Sequence, residues 1–244
     1  MQLRKKKIGS NQFEITLNNK VEILQTIDEN WQRGLPMRIV TLNPEMLIAA
    51  KEKPSLHQAI QSAEAIIPDG IGIILLLQKL GIRGVKRLPG IELAWELLNQ
   101  AIKYDLQIAL IGSTDQSLRG AIDKIQKEIG KPNLIYSRNG FFGEKDEVKI
   151  IEVLLELQPS LLLIAMPFER QEIFLHNLTK RGFRGISIGI GGSFDVWAGL
   201  VDRAPKFLQL IGLEWLWRIL KQPARITRLS KVLIPFGKIY MDEH

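Results

Sequence analysis

The chain has 244 residues, no cysteine and a formal net charge of +7 at pH 7. The lack of cysteine excludes disulfides and thiolate metal sites, and three histidines scattered along the chain argue against a zinc site. No apolar stretch reaches the roughly 18 residues that cross a bilayer, and no apolar region follows the charged first residues. We therefore expect a cytoplasmic protein with one domain, residues 1–200, and an appendage, residues 201–244.

Short runs rich in Ile, Val and Leu alternate with amphipathic stretches along the first 200 residues. The strand-like runs are Met37–Leu42, Ala65–Ile67, Gln107–Ile111, Asn133–Tyr136, Leu161–Met166 and Ile186–Ile190. The clearest helix-like stretches are Gly90–Tyr104, Gln116–Ile129, Asp146–Leu157 and Arg170–Lys180. This alternation predicts an α/β, Rossmann-like fold, in which a mostly parallel sheet carries helices on both faces.

Polar, acidic or glycine residues follow nearly every predicted strand. Examples are Thr41-Leu42-Asn43, Pro68-Asp69-Gly70, Gly112-Ser113-Thr114 and Gly191-Gly192-Ser193. In open α/β sheets the ligand binds outside the carboxyl ends of the strands, so these residues are candidates for a site. Ordinary turns and helix caps use the same residue types, which is the alternative explanation for any single strand end.

The composition changes from Arg203 onward. Seven Arg and Lys residues stand against one acid, Glu214, between residues 203 and 231. Phe207–Leu220 is predicted to be a helix, which ends at Gln222-Pro223, and the basic, apolar segment Ala224–Ile234 follows. Tryptophans among basic residues are typical of a membrane interface, although a helix packed on the core with a solvated basic face has the same composition. No nucleic-acid-binding motif accompanies the charge, so nucleic acid is the partner we rank last.

Familiar phosphate-binding motifs are missing from the sequence. The glycines of 189–192 do not form a dinucleotide fingerprint, because its third glycine would fall at Phe194. There is no P-loop, and no Asp-x-Asp that would clamp a diphosphate through a metal ion.

Several short sequence motifs, here called strings, occur one after another along most of the chain. They are Thr41-Leu42-Asn43-Pro44, Pro68-Asp69-Gly70-Ile71-Gly72, Arg87-Leu88-Pro89-Gly90-Ile91-Glu92, Arg170-Gln171-Glu172, Gly191-Gly192-Ser193-Phe194-Asp195 and Gly212-Leu213-Glu214-Trp215. In order and spacing these strings resemble the WecG/TagA/CpsF glycosyltransferases, from about residue 10 to about residue 235. Pro167, Glu169 and Glu92 depart from the family's pattern. The first two could reshape a loop beside the donor, so the donor cannot be copied from any one member.

The resemblance implies an inverting, metal-independent glycosyltransferase that needs no cofactor. Its donor would be a UDP-sugar, with UDP-N-acetylmannosamine as the best single choice, and its acceptor a sugar linked to undecaprenyl diphosphate. It further implies an anionic membrane surface as a partner, a peripheral location at the inner face of the cell membrane and weak self-association. The alternative is a catalytically idle member that binds nucleotide-sugar or glycolipid as an assembly factor.

The resemblance also implies roles for individual residues. Inverting sugar transfer needs a base for the acceptor hydroxyl, and positive charge or N–H dipoles for the departing nucleoside diphosphate. By resemblance, Asp69 is the base. The expected substrate-binding residues are Thr41, Asn43, Arg87, Gln171, Arg218, Arg225 and Arg228. The expected nucleotide-binding residues are Gly112, Ser113, Gly191, Gly192 and Asp195, the glycines and Ser113 through backbone N–H groups at helix N-termini.

Each of these roles has a structural alternative. Asp69 could belong only to a turn, and Thr41 and Asn43 could cap the helix that begins at Pro44. Arg87 could form an exposed salt bridge. The three tail arginines could bind anionic lipid headgroups alone, at about 1 kcal/mol per residue.

Overall fold

A computed structural model of the chain describes residues 3–8, 13–210, 214, 216–217, 235–238 and 240–241. The described part begins with an antiparallel hairpin of β1 (Lys5–Ile8) and β2 (Phe13–Thr16), which the sequence patterns did not predict. Two features of β1 explain the omission: it has four residues, and three of them are exposed lysines.

Six parallel strands form the central sheet, in the order β4-β3-β8-β7-β5-β6. They are β3 (Met37–Leu42), β4 (Ala65–Pro68), β5 (Gln107–Gly112), β6 (Asn133–Arg138), β7 (Leu161–Ala165) and β8 (Ile186–Gly189). The six predicted strands are confirmed, with ends that differ by at most two residues. Strands β3, β7 and β8 are buried throughout because helices cover both faces of the sheet, which is why they appear in the sequence as largely apolar runs.

The helices divide between the two faces of the sheet. They are α1 (Lys20–Arg33), α2 (Pro44–Glu52), α3 (Pro54–Gln61), α4 (Ile71–Lys79), α5 (Gly90–Lys103), α6 (Asp115–Glu128), α7 (Glu144–Leu157), α8 (Phe168–Lys180), α9 (Ser193–Trp197) and α10 (Lys206–Leu210). One hydrophobic core joins α1, α5, α6 and α9 to the sheet. Two further cores join α2, α3 and α4, and α7 and α8, to alternate strand residues. The Rossmann-like α/β prediction is confirmed.

The direction of α1 places its first turn at the edge of the sheet where the candidate site lies. Asn19 caps this helix: its side chain accepts from Glu22 N, and the Glu22 carboxylate accepts from Asn19 N. Gly34 ends the helix in the left-handed conformation, and β3 begins three residues later. Because α1 packs on the sheet and leads directly into β3, its N-terminus lies beside the carboxyl ends of the strands.

Only parts of the predicted appendage belong to the described residues. Helix α10 starts the predicted helix Phe207–Leu220, and Glu214 is also helical. Arg218, Arg225 and Arg228, with the segment Ala224–Ile234, lie outside the described residues. Near the C-terminus, Phe236 packs so closely on Gly72 that a Cβ there would lie 3.1 Å from Phe236 Cζ. Among the residues that the structure describes, none belongs to a helix long and apolar enough to cross a membrane.

Candidate active site

The turns that follow β3 and β4 contact each other and hold Asp69 in place. The backbone N–H of Asp69 donates to Leu42 O at 3.0 Å. A Cβ added to Gly70 would lie 2.8 Å from Pro44 Cδ, so a larger residue would separate the two turns. Asp69 is half-buried there, and the next residue, Gly70, packs against Asn43 and Pro44. The predicted base therefore lies at the carboxyl edge of the sheet, on a turn fixed from two sides.

A third segment, the loop that leads into α5, closes around the same point. Leu88 N donates to Pro68 O at 3.0 Å, which attaches the loop to the end of β4. A Cβ added to Gly90 would lie 2.9 Å from Thr41 Oγ1, so α5 begins in contact with the buried Thr41. These contacts bring together predicted site residues from three separate parts of the sequence: positions 41–43, 69 and 87.

Asn43 has a structural task in this arrangement. Its Oδ1 accepts from Met46 N at 3.0 Å, and Pro44 occupies the first position of α2. This is the helix-capping interaction given above as the alternative, and it orients the Asn43 side chain. Binding of substrate by Asn43 stays a prediction.

Arg87 forms a half-buried ion pair with Glu214 from the C-terminal segment. Arg87 Nη1 lies 2.8 Å from Glu214 Oε2, and Arg87 Nη2 donates to Gln209 O at 3.1 Å. Glu214 also accepts from Arg203 Nε at 3.3 Å, and Arg203 Nη2 donates to Glu92 at 2.6 Å. The Arg87 and Glu214 side chains are 17% and 13% exposed, so the bridge is shielded from solvent. These four charged residues join Arg203 and Glu214 to the loop before α5 and to its first turn.

A second group of predicted residues meets at the ends of β5 and β7. Ser113 Oγ donates to Asp195 Oδ1, and Ser113 N donates to Ala165 O at 2.8 Å. A Cβ at Gly112 would lie 2.1 Å from Ala165 O, and its φ of +129° is a conformation that L side chains rarely adopt. Glycine is therefore required at 112, because the backbones of two neighbouring strands approach each other there.

Gln171 connects the ends of β7 and β8. Its Oε1 accepts from Gly191 N at 2.9 Å and from Met166 N at 3.5 Å, and its Nε2 donates to Glu172 Oε1 at 3.0 Å. The side chain is 4% exposed. In this structure Gln171 orders the glycine-rich turn after β8, and its predicted contact with the sugar stays a prediction.

Two of the four backbone N–H groups predicted to face phosphate already have acceptors within the protein. Ser113 N donates to Ala165 O, and Gly191 N donates to the Gln171 side chain. Gly192 is the N-cap of α9, and Gly112 is the last residue of β5. A phosphate that binds through Ser113 or Gly191 must therefore exchange with an existing hydrogen bond.

A buried ionic pair lies beneath this turn, and sequence reasoning missed it. Arg38 Nη1 lies 3.6 Å from Glu172 Oε2, and both side chains are 1% exposed. Arg38 Nη2 also donates to Ala59 O and, at 2.9 Å, to Ser62 Oγ, which contacts His176 Nδ1 at 2.8 Å. The available signal was Arg38 itself, a charged residue inside the apolar run of β3, since a buried charge requires partners.

The protonation of this pair follows from its burial. Burial raises the pKa of Glu172 to about 7, although the hydrogen bond from Gln171 and the charge of Arg38 act in the opposite direction. Burial also lowers the pKa of His176, and the charges of Lys180 and Arg38 add to that effect. At neutral pH the network therefore combines a cationic Arg38, a Glu172 that titrates, and a neutral His176.

Replacing Glu172 with Gln should reduce the pH dependence of stability. The pKa of Glu172 is about 7 in the folded chain, against an ordinary value of 4.5. Its contribution to stability is therefore fully present below pH 4.5 and is lost as the pH rises through about 7. Glutamine cannot ionise, so the variant does not lose this contribution. As the pH rises from 4.5 through about 7, the unfolding free energy of the variant should therefore increase relative to that of the parent. Urea unfolding at several pH values measures the difference, and a constant difference would contradict the prediction.

A methyl group at Gly189 should disturb the Gln171 contacts. Its Cβ would lie 1.9 Å from Gln171 Nε2 and 2.7 Å from Glu172 Oε1. We expect Gly189→Ala to lower the unfolding free energy by about 1–3 kcal/mol, as overpacking does in a dense core. Gly143→Ala is the matched control, because its Cβ would meet nothing within 4 Å. Equal stability of the two variants in urea unfolding would show that Gln171 can move without cost.

The fold is that of the α/β proteins in which the carboxyl edge of a parallel sheet carries the ligand site, and the predicted site residues lie at that edge. The chain belongs to the glycosyl transferase WecG/TagA/CpsF family, whose model matches residues 10–243. The resemblance drawn from the short strings is thus confirmed. Within the described residues, no group of three or more His, Asp or Glu side chains is placed to hold a metal ion.

Two curated relatives are similar over most of the chain. The N-acetylglucosaminyldiphosphoundecaprenol N-acetyl-beta-D-mannosaminyltransferase of Bacillus subtilis is 30% identical over 194 residues, which cover 80% of this chain and 75% of the relative. The protein of the same name from Bacillus spizizenii is 29% identical over 194 residues, with the same coverage.

Proposed function

We propose that this chain transfers N-acetylmannosamine from UDP-N-acetylmannosamine to N-acetylglucosamine linked to undecaprenyl diphosphate, with inversion and without a metal ion. The position of Asp69 carries the proposal: it lies on the turn after β4 and is hydrogen-bonded to the end of β3, in a member of a glycosyltransferase family. The names of the two relatives support the choice of the transferred sugar and of the acceptor. The protein works peripherally at the inner face of the cell membrane, where it reaches a lipid-linked acceptor.

In the proposed reaction Asp69 acts as the general base. The acceptor hydroxyl oxygen attacks the anomeric carbon of the donor, and the bond from that carbon to the diphosphate oxygen breaks. Asp69 takes the hydroxyl proton, and UDP leaves with the electron pair. A base on a turn fixed by Leu42 and Pro44 keeps its position relative to both substrates, which favours the in-line attack that inversion requires.

Arg87 is assigned to the diphosphate of the donor. Negative charge grows on UDP as it leaves, and a cationic side chain offsets it. In the described structure Glu214 is the partner of Arg87, so one carboxylate already occupies the place of an anion. We assign the diphosphate to that place during turnover. Arg218, Arg225 and Arg228 would supply further positive charge from the C-terminal segment.

The turns after β5 and β8 are assigned to the rest of the nucleotide. Gly112, Ser113, Gly191 and Gly192 lie at two strand ends that flank β7. Asp195 contacts Ser113 there, and a carboxylate accepts hydrogen bonds but repels phosphate. Asp195 therefore suits a hydroxyl or N–H donor of the uridine better than the diphosphate.

The alternative, a catalytically idle assembly protein, rested on the changed loop at Pro167–Glu169. In the structure Glu169 forms an ion pair with Lys53 at 2.5 Å, and both side chains are more than 40% exposed. Glu169 thus lies in a solvent-exposed contact, and Asp69 and Arg87, the residues that we assign to the chemistry, are both retained in the sequence. We therefore prefer an active glycosyltransferase to an idle assembly protein.

A UDP-release assay tests the proposal. The full chain is mixed with each member of a panel of UDP-sugars and a soluble analogue of undecaprenyl-diphosphate-linked N-acetylglucosamine, with EDTA present. We expect release of UDP with UDP-N-acetylmannosamine only when the acceptor is present. Release with another donor would correct the sugar, and release that EDTA abolishes would correct the metal independence. Binding of UDP without release from any donor would favour the idle alternative.

A further inference from the structure

A cleft of about 230 Å³ lies between the end of the N-terminal hairpin and the loop that follows α4. Three cationic side chains line it, together with two asparagines: Arg4, Arg83, Lys86, Asn18 and Asn19. Such a lining offers several N–H donors and positive charges to one small volume, which is the chemistry that recognises a phosphate group. We call this feature the basic cleft.

Most of the charge of the basic cleft is not neutralised by the described part of the chain. Arg83 and Lys86 are exposed and form no ion pair with any described residue. Arg4 pairs with Glu22 at 2.9 Å, but the Arg4 side chain remains 64% exposed. Glu22 is itself held by the backbone of Asn19, and that hydrogen bond is the main reason why its pKa is lowered.

Strand β1 extends this positive surface beyond the cleft. Lys5, Lys6 and Lys7 are all exposed, and β1 pairs only with β2 in the described structure. Lysines on an edge strand also hinder pairing with other strands, which is the simplest explanation of a single lysine there. Lys5 and Lys7 share one face of β1 and Lys6 lies on the other, so the strand adds positive charge on both of its faces next to a cleft with three more cations. Residues 8–202 of the chain carry a net charge of only −2.

The basic cleft lies at the carboxyl edge of the sheet, where the candidate active site is; we call this side of the sheet the catalytic edge. Asn18 and Asn19 precede the first turn of α1, which lies beside the carboxyl ends of the strands. On the other side of the cleft, Lys86 is followed directly by Arg87 and by Leu88, which is hydrogen-bonded to the end of β4 next to Asp69. An acceptor carried by a lipid can reach Asp69 only if this edge faces the bilayer, so the cleft would then face the headgroups.

We propose that the basic cleft and the lysines of β1 bind the phosphates of anionic phospholipids and dock the catalytic edge on the membrane. The cleft acts in addition to the basic C-terminal segment and is separate from the donor and acceptor sites. Its orientation towards the bilayer rests on the proposed function, because that function places a lipid-linked acceptor at Asp69. Binding of anionic vesicles can be measured whether or not the transfer reaction occurs.

The test compares two double variants of the full chain. Arg83→Gln/Lys86→Gln removes two charges from the basic cleft and leaves the Arg4–Glu22 pair intact. Arg181→Gln/Arg184→Gln removes two exposed charges between α8 and β8, at the opposite edge of the sheet. Co-sedimentation is measured with vesicles of phosphatidylcholine alone and of equal parts phosphatidylcholine and phosphatidylglycerol. Turnover of the soluble acceptor and binding of inorganic phosphate are measured in parallel.

We expect the cleft variant to bind the anionic vesicles about 25-fold more weakly than the parent, at about 1 kcal/mol for each charge removed, or roughly five-fold each. The control variant should change binding by less than a factor of about three, and turnover of the soluble acceptor should be unchanged in both. Parent-like vesicle binding by the cleft variant would overturn the proposal. An equal loss of vesicle binding in the control variant would also overturn it, because net charge alone would then explain the binding. A loss of turnover of the soluble acceptor, or of phosphate binding, in the cleft variant would overturn it as well, because the cleft would then be a substrate subsite.

Discussion

Asp69→Asn is expected to lower turnover by about 10²- to 10⁴-fold, the usual contribution of a general base. Asparagine has nearly the same size and leaves the backbone bond from residue 69 to Leu42 O in place, so the turn should persist. What it lacks is a basic carboxylate to accept the proton of the acceptor hydroxyl. Affinity for the UDP-sugar should remain within a few-fold of the parent, because binding and proton transfer are separate tasks.

Steady-state kinetics with the soluble acceptor, together with titration of UDP binding, measure both effects. Asp105→Asn is the matched control, since Asp105 has a φ of +50° in the turn before β5, at the opposite edge, and Asn tolerates that conformation. Asp69→Asn with parent-like turnover would exclude Asp69 as the base. A parallel loss of UDP affinity would instead assign Asp69 to substrate binding. The pH–rate profile adds a third readout, because loss of the base removes the limb that reports its pKa.

Arg38→Met is expected to lower the unfolding free energy by about 3–5 kcal/mol at alkaline pH, because it leaves Glu172 as an unpaired buried charge. Arg38 is 1% exposed, and its guanidinium contacts Glu172, Ser62 and Ala59. Methionine occupies a similar space without the charge, so the loss should report the interaction more than a cavity. At acidic pH, where Glu172 holds a proton, the cost should be smaller.

The double variant Arg38→Met/Glu172→Met separates a broken ion pair from disrupted packing. If the charge left on Glu172 is the cause, then removal of both partners should recover most of the loss, as replacement of buried ion pairs by apolar residues often does. Urea unfolding of the parent, both single variants and the double variant gives the coupling free energy between the two positions. A double variant as unstable as Arg38→Met alone would show that the arginine stabilises through Ser62 and Ala59, independently of Glu172.

The pair of Arg38 and Glu172 is also connected to the glycine-rich turn after β8. Glu172 Oε1 accepts from Gln171 Nε2, and Gln171 in turn holds the N–H of Gly191. The charged pair thus lies two hydrogen bonds away from a turn that we assign to the nucleotide. A variant that disturbs Glu172 should therefore raise the KM for the donor more than it lowers kcat, since it displaces a binding turn and leaves Asp69 where it is.

Much of the fold could be predicted because the sheet is parallel and covered on both faces. Burial on both sides makes the inner strands largely apolar, so β3, β5 and β7 are distinct in the sequence from the amphipathic helices around them. The hairpin of β1 and β2 escaped the same reasoning. Both strands have only four residues, and three of the four in β1 are exposed lysines. No alternation of apolar and polar residues distinguishes such a segment from a charged terminus.

The location of the candidate site could also be predicted from the sequence, because the sheet is parallel. Residues that follow parallel strands converge at one edge of the sheet, so Thr41, Asn43 and Asp69 could be grouped before their contacts were known. Their individual tasks could not be separated in this way. Asn43 caps α2, Gln171 joins two strand ends and Arg87 pairs with Glu214, and each of these contacts depends on the exact approach of segments far apart in the chain.

By itself the sequence determined the parallel α/β architecture, the family and the position of the predicted base. These follow from local patterns: apolar runs, the residues just after them, and short strings at fixed spacing. Only the tertiary structure decided which charges meet. Arg38 and Glu172 are 134 positions apart in the chain, and Arg87 and Glu214 are 127 apart. Their pairing, and the grouping of Arg4, Arg83 and Lys86 in the basic cleft, result from how the segments of the chain pack around the sheet, which no local pattern records.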